Sequence, residues 1–175
     1  IYAYYKDRNG NIWIGTKGGG LFVNGTQYTR EEKKNPIPCD DISDILSDSQ
    51  GRIWVATEGS GLLLMEYKKG TPLKFRQFLN RNINESRIQD LTYDLQGRLW
   101  IGTFDGLFCL YTHQKKLSDK DFLHFSLTNH QLPTNEVCCI NTPRDGSIWI
   151  GTGGVGIIHC RLTGSKLLYK QINTL

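Results

Sequence analysis

The sequence predicts an all-β fold made of four repeated units, each a sheet of four antiparallel strands. Three observations support this prediction: tryptophan recurs at regular spacing, a seven-residue motif surrounds each tryptophan, and no long stripe of helical periodicity occurs. The tryptophans are Trp13, Trp54, Trp100 and Trp149, separated by about 41, 46 and 49 residues. One tryptophan in each repeat of about 40–50 residues is typical of the blades of a β-propeller.

The motif around each tryptophan has the form Gly-x-Ile/Leu-Trp-x-Gly/Ala-Thr. It occupies Gly10–Thr16, Gly51–Thr57, Gly97–Thr103 and Gly146–Thr152. Asp7, Asp48 and Asp94 stand three residues before the glycine in the first three copies, whereas the fourth copy has Pro143 there and Asp145 two residues later. A Gly-Leu or Gly-Ile pair follows every copy. A match of this length, repeated four times, indicates one repeated structural unit.

Each part of the repeat predicts a local structure. Asp-x-x-Gly between two apolar runs predicts a hairpin turn, so the three aspartates are expected to be turn residues. The Ile-Trp-Ile/Val segment that follows is β-branched and aromatic, which favours a strand. Alternation places tryptophan on one face and its aliphatic neighbours on the other, so this second strand is expected to be buried on both faces.

The remaining strands and the blade boundaries follow from the same pattern. The third strands are predicted at Gly61–Tyr67 and Leu107–Tyr111, and the more polar fourth strands at Lys74–Leu79 and Phe122–Ser126. The predicted blades cover residues 1–40, 41–86, 87–135 and 136–175. Large apolar surfaces on both faces of a blade predict stacking on its neighbours, with Trp13, Trp54, Trp100 and Trp149 as the structural core.

Composition narrows the classes of function. The net charge is +4, but lysine and arginine are scattered, so no nucleic-acid partner is expected. No stretch approaches the roughly 18 apolar residues of a membrane helix. Because Ile1 already lies within a repeat, we expect a fragment of a longer protein, with contact to a membrane only through segments outside it.

Residues that could carry chemistry are sparse, so no catalytic residue, cofactor or metal is expected. The five cysteines form no Cys-x-x-Cys pair. Four of them lie among apolar strand residues, where we expect free thiols that pack as small hydrophobic groups, and a disulfide is the alternative. The histidines show no acid–base pattern, and His159 is expected in the core. The Gly18–Gly20 run lacks the lysine and helix of a phosphate-binding loop.

The string Asp-x-x-Gly-x-Ile-Trp-x-Gly-Thr, preceded by Ile-x-x-Ile and followed by Gly-Leu, resembles the two-component regulator propeller repeat. The resemblance covers essentially the whole chain and is weakest at Pro143. It implies a fragment of a seven-bladed propeller in the extracytoplasmic sensor region of a hybrid two-component histidine kinase, as in gut Bacteroidetes. It further implies a periplasmic location, a part in oligosaccharide sensing and signal transduction, and no catalytic role for this fragment.

Candidate ligand contacts lie in loops, because function is generally carried by loops on a rigid scaffold. In a propeller, the loops between strands two and three share a rim with the connections between blades. Phe104 beside Asp105 is the best candidate for binding a sugar, since the other copies have no aromatic residue there. Charged and polar candidates on the same rim are Lys17, Glu58, Arg87 and His130.

Two other functions stay open, as does the arrangement of the blades. The first is a lectin-like or protein-interaction propeller without a signalling role. The second is a propeller enzyme such as a quinoprotein-like dehydrogenase or a lyase, which needs charged residues converging at the centre. Four blades could close as a ring, form an open arc or pair between copies, and we expect self-association through open blade faces.

Overall fold

The computed structural model describes residues 1–34, 36–79, 81–82 and 84–172. The strands of blade 1 are β1 Ala3–Lys6, β2 Ile12–Gly15, β3 Leu21–Val23 and β4 Thr26–Tyr28. Those of blade 2 are β5 Ile42–Ser47, β6 Ile53–Thr57, β7 Leu62–Glu66 and β8 Lys74–Phe78. Those of blade 3 are β9 Ile88–Tyr93, β10 Arg98–Thr103, β11 Gly106–Tyr111 and β12 Phe122–Phe125. Those of blade 4 are β13 Val137–Asn141, β14 Ile148–Thr152, β15 Ile157–Thr163 and β16 Lys166–Ile172.

The four sheets have the predicted topology. Each blade is a four-stranded antiparallel sheet in which the strands lie in sequence order. Among the described residues the helical structure is one 3-10 turn, at Asp119–Asp121. The all-β blade fold is therefore confirmed, and the predicted third and fourth strands of blades 2 and 3 agree with the observed ones to within two residues. The predicted end of blade 4, at residue 175, lies outside the described residues.

The aspartate of the repeat forms the predicted turn and also binds the tryptophan. In blade 3, one carboxylate oxygen of Asp94 accepts bonds from the backbone N–H groups of Gln96 and Arg98, both at 3.0 Å. The other oxygen accepts bonds from the Trp100 indole at 2.7 Å and the Arg98 guanidinium at 2.6 Å. The indole–carboxylate bond recurs between Trp54 and Asp48 at 3.0 Å and between Trp13 and Asp7 at 3.1 Å.

In blade 1 the side chain of Asn11 takes the place of this arginine and donates to Asp7 at 2.8 Å. Burial, the largest single influence, raises the pKa of Asp7, but the hydrogen bonds from Asn11, Trp13 and the turn backbone together hold it below its usual value. The contribution of the Asp7 carboxylate to the free energy of unfolding is therefore present at neutral pH, and it is lost as the pH falls through the lowered pKa.

The chain divides into two compact units, residues 1–88 and 89–175. In the first unit, the tryptophan face of blade 1 packs on the aliphatic face of blade 2, where Trp13 shares one core with Ile42, Ile45 and Val55. A Cβ at Gly15, two residues after Trp13, would overlap the side chain of Ile42 of blade 2. Glycine at this position therefore permits the predicted close approach of the backbone to the next blade.

The second unit repeats this packing in blades 3 and 4. Trp100 shares a core with Val137, Ile140 and Ile150 of blade 4. Strands β6 and β10 are buried along their whole length, as predicted for the second strands. Within each unit, the tryptophan face of one blade thus packs on the aliphatic face of the blade that follows it.

The structure corrects the prediction that Trp149 lies in the core. Trp13, Trp54 and Trp100 are fully buried, whereas the side chain of Trp149 is 37% exposed. Ile148 and Ile150, on the other face of β14, are fully buried against blade 3. The tryptophan face of blade 4 is not covered by an aliphatic face as those of blades 1 and 3 are, and Pro143 replaces the aspartate that would bind the indole.

Two further predictions about polar side chains are wrong in part. His159 is half-buried rather than in the core, and its ring lies 4.5 Å from that of Trp149 on the uncovered face. All five cysteines are free thiols, but only Cys109 and Cys160 are buried, while Cys138 and Cys139 are exposed. Burial raises the pKa of Cys109 and of Cys160 to about 12. A register shift in β13 between Val137 and Cys139 accompanies the outward position of the adjacent cysteines.

Candidate functional site

The candidate ligand-binding residues all lie at one end of their own blades. In a four-stranded meander, the loop between strands two and three and the connection that leaves strand four lie at the same end of the sheet. Lys17, Glu58, Phe104 and Asp105 follow the second strands β2, β6 and β10. Arg87 precedes β9, and His130 lies between β12 and β13. This end of each blade is called the upper rim below.

Repeated hydrogen bonds brace the upper rim. The threonine hydroxyl that ends each motif donates to the carbonyl of the glycine at, or just before, the start of strand three, as Thr57 does to Gly61 at 2.8 Å and Thr103 to Gly106 at 3.0 Å. The same glycine donates its N–H to the connection between blades. These bonds join Gly20 to Asp40 at 2.9 Å, Gly61 to Ser86 at 3.2 Å and Gly106 to Asn135 at 2.8 Å. Each pair of loops is therefore held in one geometry before any ligand binds.

In the first unit, Asp41 joins the rim loops of blades 1 and 2. Its carboxylate accepts the Gly18 N–H at 2.7 Å, and its carbonyl accepts the Glu58 N–H at 3.0 Å. Lys17, next to Gly18, places its ammonium 5.8 Å from the centre of the Tyr2 ring. Glu58 also forms an antiparallel bridge with Arg87. Three of the predicted residues thus stand in loops connected by short bonds.

In the second unit, Phe104 and Asp105 form the tight turn between β10 and β11. The Asp105 N–H donates to the Thr103 hydroxyl at 2.9 Å, and its carbonyl accepts the His124 Nε2–H at 2.6 Å. The Asp105 carboxylate lies 3.9 Å from the same nitrogen and keeps 25% of its side chain exposed. Phe104 is also partly exposed. The pair therefore places a partly exposed aromatic side chain beside a partly exposed carboxylate.

His124 is a rim residue that the sequence pattern did not single out. Its ring stacks on that of Phe108 with the centres 4.1 Å apart and the planes 1° from parallel. The two residues are direct partners across β11 and β12. The contact could therefore have been predicted from the pairing register of these two strands. Because a carbonyl can only accept, the bond to Asp105 assigns the proton to Nε2 of His124.

His130 differs from the other candidates. It is exposed and adopts a left-handed backbone conformation with φ of 60°, which is uncommon for a residue other than glycine. Its N–H donates to the Leu127 carbonyl at 3.1 Å within the connection between β12 and β13. The side chain of Asn135 fixes that connection by accepting the Leu127 N–H at 2.8 Å. The structure therefore places His130 on the upper rim, and the bonds described for it connect it to none of the other predicted ligand-binding residues.

The rim loops of each unit carry charged and polar side chains of the kind that suits polar ligands. Lys17 and Arg87 are exposed cations suited to an acidic group, and Asp105 and Glu58 are partly exposed hydrogen-bond acceptors. Within the described residues, no group of three or more His, Cys, Asp or Glu side chains could hold a metal ion. No helix found among those residues is long and apolar enough to cross a membrane.

The sheets, their turn chemistry and their order define a series of β-propeller blades. Residues 1–18 and 36–59 match the sequence profile of the family described as two component regulator propeller. The resemblance carried by the Asp-x-x-Gly-x-Ile-Trp motif is thereby confirmed for two of the four copies. No curated relative matches the sequence.

Solved structures confirm the fold along the chain. Two are extracellular domains described as belonging to hybrid two component systems of B. thetaiotaomicron. One has a TM-score of 0.76 at 20% identity over 95% of this chain, and the other has 0.73 at 25% identity over 99%. Virginiamycin B lyase from Staphylococcus aureus has a TM-score of 0.64 at 16% identity over 99%.

The chain spans only part of these proteins. It covers 24% and 22% of the two extracellular domains, and 56% of the lyase. It is thus similar to part of each of these larger proteins, and its first two motif copies match the two component regulator propeller family.

Proposed function

We propose that this chain is a non-catalytic part of an extracytoplasmic sensor propeller, which takes part in oligosaccharide sensing for a two-component regulatory system. The observation that carries the proposal is the combination of the family match with the likeness to extracellular domains of hybrid two component systems over at least 95% of the chain. A periplasmic location belongs to the same proposal, since those neighbours are extracellular domains.

The division of labour between strands and rim supports this function. The strand residues of the motif recur in every blade because they pack the sheets, whereas the rim positions differ from blade to blade. At the turn after the motif, Lys17, Glu58 and Phe104 occupy corresponding places with three different chemistries. Braced loops that carry different side chains suit selective recognition of a polar ligand.

Phe104 and Asp105 are proposed as the sugar-binding pair. A partly exposed ring offers an apolar platform for the C–H face of a sugar, and the neighbouring carboxylate can accept bonds from its hydroxyl groups. Arg87 and Lys17 would add affinity for uronic or sulfated sugars in the first unit. The likeness to virginiamycin B lyase, at 16% identity, supports the fold alone and does not favour the enzyme hypothesis.

The test is a calorimetric titration of the chain with a panel of neutral, uronic and sulfated oligosaccharides. We expect at least one class to bind, and we expect Phe104→Ala to weaken that binding about tenfold or more, because the stacking surface is lost. His113→Ala is the matched control, since this exposed aromatic residue of blade 3 lies in the β11–β12 loop at the opposite rim.

Unchanged affinity in Phe104→Ala, or equal weakening in both variants, would show that the proposed pair is not the contact. Absence of binding by the whole panel would contradict oligosaccharide recognition by this chain. Asp105→Asn separates the roles within the pair, because the amide keeps the shape of the turn but removes the charge.

A further inference from the structure

Strand four of each blade carries one polar side chain that bonds back to the turn between strands two and three. These four residues share one register position, because each pairs with the residue of strand three that lies two positions after the glycine of the turn. The pairs are Gln27 with Phe22, Gln77 with Leu63, His124 with Phe108 and Gln171 with Ile158.

The side-chain nitrogen Nε2 of each residue donates to the carbonyl just before that glycine. The bonds run from Gln27 to Gly19 at 2.9 Å, from Gln77 to Ser60 at 2.7 Å, from His124 to Asp105 at 2.6 Å and from Gln171 to Val155 at 2.9 Å. Histidine can replace glutamine here because Nε2 lies the same number of bonds from Cα in both side chains. These four bonds are called the turn clamps below.

The turn clamp of blade 3 acts on a peptide unit that is also held from its other side. The carbonyl of Asp105 accepts the His124 bond, and the N–H of Gly106, in the same peptide unit, donates to the Asn135 carbonyl at 2.8 Å. Glycine populates several backbone conformations, so the preferences of Gly106, which has φ of +112°, do not by themselves fix this peptide unit. The two hydrogen bonds together determine its orientation.

The clamp residue of blade 3 is itself held in place. The His124 ring stacks on Phe108 with the ring centres 4.1 Å apart, and Phe108 is buried. The carbonyl of His124 accepts the side-chain amide of Asn129 at 2.7 Å. A supported donor therefore bonds to the turn that carries Phe104 and Asp105.

We propose that His124 is a positioning residue for the Phe104–Asp105 pair, and that its Nε2–H holds the turn in the geometry that presents the pair. The sugar-binding role of the pair rests on the proposed function, whereas the hold of His124 on the turn does not. Because Asp105 belongs to the clamped peptide unit, the bond fixes the backbone from which its carboxylate and the adjacent Phe104 ring project. The carboxylate itself lies 3.9 Å from Nε2 and is 25% exposed, so it stays accessible to a ligand.

The donor, rather than the ring, is assigned this role because the other three blades make the same bond with glutamine. Two substitutions separate the two properties of the side chain. His124→Phe keeps a ring that can stack on Phe108 and removes the donor. His124→Gln removes the ring and supplies the donor that the other blades use.

The first experiment measures amide hydrogen exchange along the whole 175-residue chain without ligand, by mass spectrometry. We expect His124→Phe to speed exchange in the turn at residues 103–107 about fivefold or more, because one of the bonds that hold it is lost. We expect His124→Gln to stay within about twofold of the unmodified chain. Exchange at residues 98–102 and a thermal melt check that the blade is intact, and His124→Leu replaces His124→Phe if the latter does not fold.

Gln171→Leu is the matched control. It removes the turn clamp of blade 4, whose turn carries none of the proposed ligand-binding residues. We expect faster exchange in the blade 4 turn at residues 152–156 and unchanged exchange in the blade 3 turn.

The second experiment repeats the calorimetric titration with neutral, uronic and sulfated oligosaccharides. We expect His124→Phe to weaken about fivefold whatever binding Phe104→Ala weakens, because the pair is no longer held in one geometry before binding. His124→Gln should restore the affinity to within about twofold, and Gln171→Leu should not change it.

The proposal is overturned if His124→Phe leaves exchange in the blade 3 turn unchanged, if His124→Gln exchanges as fast as His124→Phe, or if Gln171→Leu loosens that turn equally. It is also overturned if sugar binding depends on Phe104 but not on a donor at position 124. A panel without any binding contradicts the proposed function, whereas the exchange measurement still decides whether His124 holds the turn.

Discussion

At the scale of single residues, the repeated aspartate does more than make a turn. Asp94 is 6% exposed and joins the turn backbone, the Arg98 guanidinium and the Trp100 indole in one bonded cluster. Hydrogen bonds to a charged group are stronger than neutral ones, and buried donors are costly to leave unpaired. The fourth copy lacks this cluster, and there Asp145 accepts bonds from Ser147 instead.

Replacement of Asp94 by alanine is expected to lower the free energy of unfolding by about 3–5 kcal/mol, because it leaves a buried guanidinium and an indole N–H without their acceptor. Asp145→Ala is the control, since this exposed carboxylate accepts bonds from Ser147 in its own turn and lies 3.6 Å from Arg161, and a clearly smaller loss is expected. Urea denaturation followed by tryptophan fluorescence measures both. Equal losses would contradict the role of the cluster.

At the scale of elements, the hairpin between strands two and three determines the rim. Gly106 begins β11 with φ of +112°, and its N–H is bonded to Asn135. A Cβ at this position would overlap the carbonyl oxygen of Phe125. The glycine is therefore required twice, by its backbone conformation and by the close passage of the strand-four end.

Gly106→Ala is expected to destabilise the chain by about 3 kcal/mol or more, since backbone atoms must move to admit the methyl group. Gly10→Ala separates the two effects, because Gly10 has φ of +81° but open space around it, so only about 1–2 kcal/mol of conformational strain is expected. The two free energies of unfolding come from the same denaturant titration. A loss at Gly10 as large as that at Gly106 would show that crowding contributes nothing.

At the scale of the whole molecule, stability depends on which blade faces are covered. Trp100 is fully buried in the core shared by blades 3 and 4, whereas Trp149, in the same position of the repeat, is 37% exposed. The same residue type at the same position of the repeat is therefore part of the core in one blade and partly exposed in another.

Trp100→Ala is expected to lower the free energy of unfolding by about 3–5 kcal/mol, the range for removal of a large aromatic side chain from a core. Trp149→Ala should lower it by about 1 kcal/mol or less. Both are measured by denaturant titration. A similar loss in both variants would show that Trp149 is buried in solution.

Much of the fold followed from the sequence because its determinants are local. Asp-x-x-Gly turns, the alternation around each tryptophan and the glycine before each third strand act within a few residues, so the repeat alone determined four antiparallel sheets and their strand order. It also placed each candidate contact at the same end of its own blade, since strand order decides which loops share an end. The hydrogen bonds through Asp41 and the stacking of His124 on Phe108 required the register of the strands.

Only the tertiary structure decided which copies of the motif are buried. The sequence determined that Trp13, Trp54, Trp100 and Trp149 occupy one position in the repeat, but burial depends on a second sheet that lies against the face. For the same reason, pattern alone could not separate the buried Cys109 and Cys160 from the exposed Cys138 and Cys139. Strand formation is a property of neighbouring residues, whereas coverage of a face depends on contacts distant in sequence.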